Sequence, residues 1–186
     1  MNNTIKEIIK KDIFRYYGKF KLNIRERIFV KPEIKLIINY RKANYYTSKH
    51  GILKYYYRYK NIKINRKYLS QICYNTKIGE GFYIGHVGNI YINPKATLGN
   101  NINIAQGVTI GQTNRGEKEG CPTIGNNVWI GANAVIVGKI NIGDDVLIAP
   151  NAYVNMDIPN HSIVIGNPAI IHYREKATKG YINRTI

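Results

Sequence analysis

From Ile72 to Val154 an aliphatic residue returns every six positions. The anchors are Ile72, Ile78, Ile84, Ile92, Leu98, Ile104, Ile110, Ile124, Ile130, Ile136, Ile142, Ile148 and Val154. Glycine follows seven of these thirteen, and alanine follows Ile104 and Ile148. A weaker apolar position lies four residues after many anchors, at Ile102, Val108, Val128, Ala134, Ile140, Val146 and Ala152. A helix needs an apolar residue about every 3.6 positions and a flat strand about every 2. Period six over thirteen units fits neither. It predicts a parallel β-helix solenoid, in which each hexad is a short strand and a bend. Each anchor then rests on the one three hexads away, so no single turn buries its own core.

The count breaks twice. Ile84 to Ile92 is eight residues, and this rung holds Gly85-His86-Val87-Gly88-Asn89. Ile110 to Ile124 is fourteen, and the excess falls in the polar run 112–121, predicted as a loop thrown out of the prism. Breaks in a regular pattern are where function is expected.

Upstream the period is helical. Ile5, Ile8, Ile9, Ile13 and Tyr16 share one face of a helix stopped by Gly18. A second helix opens at Pro32, carries Ile34, Ile37, Ile38 and Tyr45 on one face, and stops by Gly51, with His50 at its end. A third, shorter one covers 52–62, and the polar stretch Lys60–Tyr68 reads as a lead-in to the prism. Three parts follow: a basic, tyrosine-rich helical segment 1–70, a β-helix domain 71–159 with the loop 112–121, and a C-terminal cap and tail 160–186 that caps the last coil and then frays.

Charge separates the first part from the rest. Residues 1–70 hold 19 Lys and Arg against 4 Asp and Glu, and ten of the sixteen tyrosines. Residues 71–186 hold 9 against 7. The basic segment is a solvated face or a peripheral contact with an anionic membrane. No helix-turn-helix, finger or RNA-binding signature accompanies it, so specific nucleic-acid binding is not expected. Cys73 and Cys121 make no disulfide framework. Neither an h-region nor an apolar run of membrane length is visible, which places the expectation in the cytoplasm, or at the inner face of its membrane. Histidines and cysteines lack ligand spacing, so no metal is expected.

The segments "TKIGEGFYIGHVGNIYIN", "NINIAQGVTIG", "PTIGNNVWIGANAVIVGKINIGDDVLIAPNAYV" and "IPNHSIVIGNPA" resemble the hexapeptide-repeat acyltransferases. Within them the closest likeness is to the serine acetyltransferase-like branch, which includes O-acetyltransferases of bacterial surface sugars. The likeness covers roughly residues 70–172 and, loosely, the helices before them. It implies an all-β solenoid core, a left-handed parallel β-helix, behind an α-helical N-terminal segment. It also implies a homotrimer, with acetyl-CoA lying in the groove between neighbouring subunits.

Acyl transfer to a hydroxyl needs a base for the hydroxyl proton, and histidine is suited to it. His86 occupies the histidine of the family's "IGHxG" motif. The family's orienting acid, fifteen positions earlier, is here Gln71. Gly111 and Gln112 are candidates for the oxyanion N–H. Matching coenzyme A positions are Gly111, Gln112, Ala132, Pro150, Asn155 and Asn167. Met156 and Ile170 stand where relatives often carry a cation for the nucleotide phosphates, with Lys139, Arg174 and Lys176 as possible substitutes.

The acceptor is read from Tyr83, Gly85, Asn89 and Cys121. Serine acetyltransferases hold their zwitterionic substrate with an acid and an Arg-His pair at the positions of Gly85, Gly120 and Cys121. Both charges are missing there, so the expected acceptor is a sugar hydroxyl on a surface glycan or its precursor. The alternatives are serine itself, a non-catalytic hexapeptide scaffold, or a membrane-surface-binding protein.

Overall fold

The computed structural model describes residues 3–49 and 51–186; the expectation for His50 lies outside them. Four helices come first: α1 (Asn3–Tyr17), α2 (Ile24–Ile28), α3 (Pro32–Thr47) and α4 (Ile52–Lys67). Gly18 ends α1 at φ 69°, its N–H bonded to the Phe14 carbonyl at 2.8 Å. Ile5, Ile9 and Ile13 of α1 pack with Ile34 of α3 in one small core. The short α2 was not expected. It rests on a capping box, in which Asn23 and Glu26 each accept the other's backbone N–H.

Helix α4 runs five residues beyond the expected 52–62. Its inward positions at the far end are Asn61 and Asn65, both buried, so polar residues hide the apolar period there. The Asn65 side-chain oxygen accepts the Ile72 N–H at 2.9 Å, and its amide donates to the Ile72 carbonyl at 3.2 Å. One asparagine thus fastens the helical segment to the first coil.

Thirteen strands then wind the prism: β1 (Gln71–Ile72), β2 (Lys77–Ile78), β3 (Tyr83–Ile84), β4 (Tyr91–Ile92), β5 (Thr97–Leu98), β6 (Asn103–Ile104), β7 (Thr109–Gly111), β8 (Thr123–Ile124), β9 (Val128–Ile130), β10 (Val135–Val137), β11 (Asn141–Ile142), β12 (Val146–Ile148) and β13 (Tyr153–Val154). A closing pair follows, β14 (Ser162–Ile165) and β15 (Ile170–Tyr173). Sheet A is β1-β4-β7-β10-β13, sheet B is β2-β5-β8-β11, and sheet C is β3-β6-β9-β12-β14-β15. All pairings are parallel except β14 with β15. The chain is therefore a β-solenoid of about five turns behind a helical segment, as the hexads predicted.

Every anchor is buried, and so is every residue of the second apolar register. Each buried Ile contributes roughly 1.5–3 kcal/mol over exposure. The small residue after the anchor also has a cause. A Cβ at Gly99 would lie 2.5 Å from the Gly125 carbonyl oxygen of the next coil. On the same corner Asn100, Asn126, Asp144 and Asn160 each accept a backbone N–H from the neighbouring coil through a side-chain oxygen.

A buried ion pair joins helices to prism. Arg41 bonds both oxygens of Asp12, at 2.7 and 3.1 Å, and donates to the carbonyls of Ile78 and Gly79. The Asp12 carboxylate also accepts the Phe82 N–H at 2.9 Å. Tyr16 both donates to the Ile84 carbonyl and accepts the Ile84 N–H, each at 2.8 Å.

The C-terminal tail does not fray. After β15 it returns along the outer face of sheet C. Asp145 holds it through the N–H groups of Ala177 and Thr178, each at 3.0 Å, and the Thr178 hydroxyl at 2.6 Å. Tyr181 meets Trp129 edge to face. Buried Arg15 donates to the Asn183 carbonyl at 3.0 Å, and the Ile186 N–H reaches the Asn101 side chain at 3.1 Å. Burial lowers the Arg15 pKa to about 10, so it stays charged at neutral pH. One prism face is thereby covered by the tail, while the outer face of sheet A stays free of it.

Candidate active site at the edges of sheet A

The irregular rung forms the corner between β3 and β4, one edge of sheet A. Gly88 at φ 119° and Asn89 at φ 53° turn the chain there, conformations that glycine and asparagine tolerate. His86 projects from this corner, exposed, and its ring makes no hydrogen bond among the described residues. Corners of successive coils stack above it. Gly107 N–H bonds Gly88 O, Asn133 N–H bonds Gln106 O, and Asn151 N–H bonds Ala132 O, each at 2.9–3.0 Å. Ala132, Pro150 and, beyond β14, Asn167 therefore lie along the same edge as His86.

The other expected residues lie on the opposite edge of sheet A, where β7 leads to the loop. Gly111 closes β7 and pairs with Val137. The Asn93 amide donates to the Gln112 side chain at 3.3 Å. The Gln112 backbone N–H has no partner among the described residues, whereas Thr113 and Gly120 exchange two backbone bonds of 3.0 Å. The loop is thus a pinned excursion. Lys118 in it donates to the Asn155 carbonyl at 2.7 Å, placing Asn155 on this edge as well. The cofactor residues read from sequence divide in two: Ala132, Pro150 and Asn167 with His86, and Gly111, Gln112 and Asn155 with the loop.

Two expected roles change. Tyr83 lies on sheet C, stacked on Tyr16 at 4.3 Å, so it packs the helices rather than lining an acceptor mouth. Gln71 lies on sheet A with its backbone N–H bonded to the Ile90 carbonyl at 2.7 Å, but its side chain makes no hydrogen bond to His86. A cleft of about 170 Å³ instead brings Gln71 together with Tyr91, Asn93, Thr109 and Gly111. Gly85 and Asn89 stay beside His86 at its corner.

Cys121 stands on the loop edge. Burial pushes its thiol pKa up, and nearby Lys95 only partly offsets this. A thiol held protonated does not serve as a nucleophile. Lys139 packs against Gly120, where a Cβ would come within 3.1 Å of the lysine Cβ. Sequence reasoning missed Lys95 and Lys118, because only the fold brings them to this edge. Arg174 and Lys176, with Lys179, line a cleft of about 730 Å³ that also includes Ala149 and Pro150. His161 is bonded to Asp145 at 2.9 Å and His172 sits in β15, both away from the His86 corner. Among the described residues, no group of three His, Cys, Asp or Glu side chains could hold a metal ion. No helix there is long and apolar enough to cross a membrane.

With strands, corners and anchors in place, the chain is defined as a hexapeptide-repeat β-solenoid, and residues 121–155 match the family model described as bacterial transferase hexapeptide (six repeats). A serine acetyltransferase of Helicobacter pylori is 39% identical over 94 residues, covering 50% of this chain and 55% of that protein. The Entamoeba histolytica serine acetyltransferase isoform 3, solved in complex with cysteine, superposes with a TM-score of 0.73 at 29% identity, over 92% of this chain and 62% of its own. That of Vibrio cholerae gives 0.77 at 26% identity, over 93% and 67%. The matched part amounts to between 26% and 55% of the length of several curated relatives.

These relatives overturn the expected sugar or glycan acceptor: they are serine acetyltransferases. That expectation rested on neutral residues at positions 85, 120 and 121. Charged residues lie near two of those positions. Lys95 flanks Cys121, Lys139 flanks Gly120, and Glu117 and Glu119 are carried on the same loop.

Proposed function

We propose that this protein is an acetyltransferase that moves the acetyl group of acetyl-CoA to the hydroxyl of serine, working as a homotrimer. The observation carrying this reading is the split of the candidate residues between the two edges of sheet A. His86 stands on one and the loop with Gly111 and Gln112 on the other. A site needing both draws them from two copies, with the donor lying along the groove where the edges meet.

In that site His86 takes the serine hydroxyl proton as the oxygen attacks the thioester carbonyl. The Gln112 N–H of the adjoining copy faces the developing oxyanion. Collapse breaks the C–S bond, and the imidazolium returns its proton to the departing thiolate. Lys95 and Lys139 suit the serine carboxylate, and Arg174, Lys176 and Lys179 suit the nucleotide phosphates of the donor. The similarity to proteins named serine acetyltransferases supports serine as acceptor.

The test is thiol release from acetyl-CoA with L-serine and a panel of other hydroxyl compounds. Serine-dependent release falling by about 10²–10⁴ in His86→Ala is expected. Release that ignores serine, or that survives His86→Ala, overturns the assignment.

A further inference from the structure

Helix α4 has two unlike faces. Its inner face carries Tyr57, Asn61, Ile64 and Asn65 against α3 and the first coil, and Tyr57 stacks on Tyr46 at 4.7 Å. Its outer face carries Ile52, Tyr55, Tyr59 and Ile62, at a spacing that aligns them along one side. They are 82%, 67%, 61% and 45% exposed. Large apolar side chains arranged in a row on a helix and left in water call for a partner.

The charges say which partner. Alongside this stripe run Lys60, Lys63, Arg66 and Lys67, all exposed. The helix contains no acidic residue, and across 32–67 there are ten Lys and Arg against one Glu. A second copy laid on this face would set cations against cations, which costs several kcal/mol. An anionic surface gains from the same cations. Tyrosine suits the boundary between headgroups and acyl chains, where its ring is apolar and its hydroxyl wet. Sixteen residues give a helix of roughly 24 Å, long enough to lie in the plane of a membrane rather than across it. Asn65 fixes α4 to the coil, so the helix presents this face as a preformed, rigid surface.

We propose that the outer face of α4 docks the protein onto an anionic lipid surface, with Ile52, Tyr55, Tyr59 and Ile62 entering the interface and Lys60, Lys63, Arg66 and Lys67 meeting the headgroups. The inference does not rest on the assigned reaction.

The test is flotation of the full chain with phosphatidylcholine vesicles, alone and with about one third phosphatidylglycerol. Binding only to the anionic vesicles, reversed by salt at about 1 M, is expected. Lys60→Gln/Lys63→Gln/Lys67→Gln weakens it by about a hundredfold. Ile52→Ser/Tyr55→Ser/Tyr59→Ser/Ile62→Ser weakens it at least about tenfold. All these positions are exposed, so both variants keep the wild-type melting temperature. In Tyr59→Trp, indole emission shifts to the blue on anionic vesicles over a constant Trp129 background. The proposal is overturned by absence of flotation, by equal binding to neutral vesicles, or by wild-type binding in both variants. Self-association in the absence of lipid that the serine variant abolishes also overturns it, and assigns the face to a second copy.

Discussion

His86 and Gly111 stand on opposite edges of sheet A, one at the β3–β4 corner and the other where β7 gives way to the loop. Under the proposed function two copies bring these residues together. Mixing inactive His86→Ala with an inactive Gly111→Trp protein, after dissociation and reassembly, should restore activity. Random mixing makes about a quarter of the sites intact in both halves. Recovery near that fraction is expected, measured as serine-dependent thiol release; none at all would place both residues in a site within one chain.

Cys121 should be dispensable for chemistry. Its thiol is pushed toward the protonated form, so Cys121→Ser should retain activity within a few-fold, and alkylation at neutral pH should be slow. Rates of iodoacetamide labelling and of acetyl transfer check both statements.

Asp12 and Arg41 are buried together, so removing the carboxylate leaves a buried guanidinium without its counter-charge. Asp12→Asn should therefore cost about 3–5 kcal/mol, the range for leaving a buried charge unpaired. Chemical denaturation measures it. Exposed Glu7→Gln, which breaks the surface pair with Lys10, should change stability by less than about 1 kcal/mol.

The tail should loosen in acid. Burial tends to raise the Asp145 pKa, but hydrogen bonds from Thr178, His161 and two tail N–H groups outweigh it and leave the pKa lowered. A carboxyl depressed in the folded state contributes stability above its unfolded pKa, about 3.9, and loses it as pH falls through the folded value. Amide exchange in 174–186 should accelerate below about pH 4. In Asp145→Asn it should already be fast at neutral pH, with little further change in acid.

The single histidine in the irregular rung was legible from sequence because the hexads are strict and the rung breaks them. So was the sidedness of every coil, since each anchor is aliphatic and each corner needs a small residue or an asparagine. Helix α4 was half legible: its apolar period stops where Asn61 and Asn65 turn inward, and a polar residue that fastens two backbones looks like a solvated one.

What the sequence by itself determined was the repeat: period six dictates short strands, stacked corners and an aliphatic column, because only that arrangement buries an Ile every sixth residue. What only the tertiary structure decided were the relations between distant segments. Which edge each candidate residue occupies follows from how coils stack, and this divided the donor residues and brought Lys95 beside Cys121. The packing of Tyr83 under α1, and of the tail along sheet C, came from side-chain and backbone bonds between residues up to 169 positions apart. Such contacts carry no local period, so nothing in the spacing of apolar residues announces them.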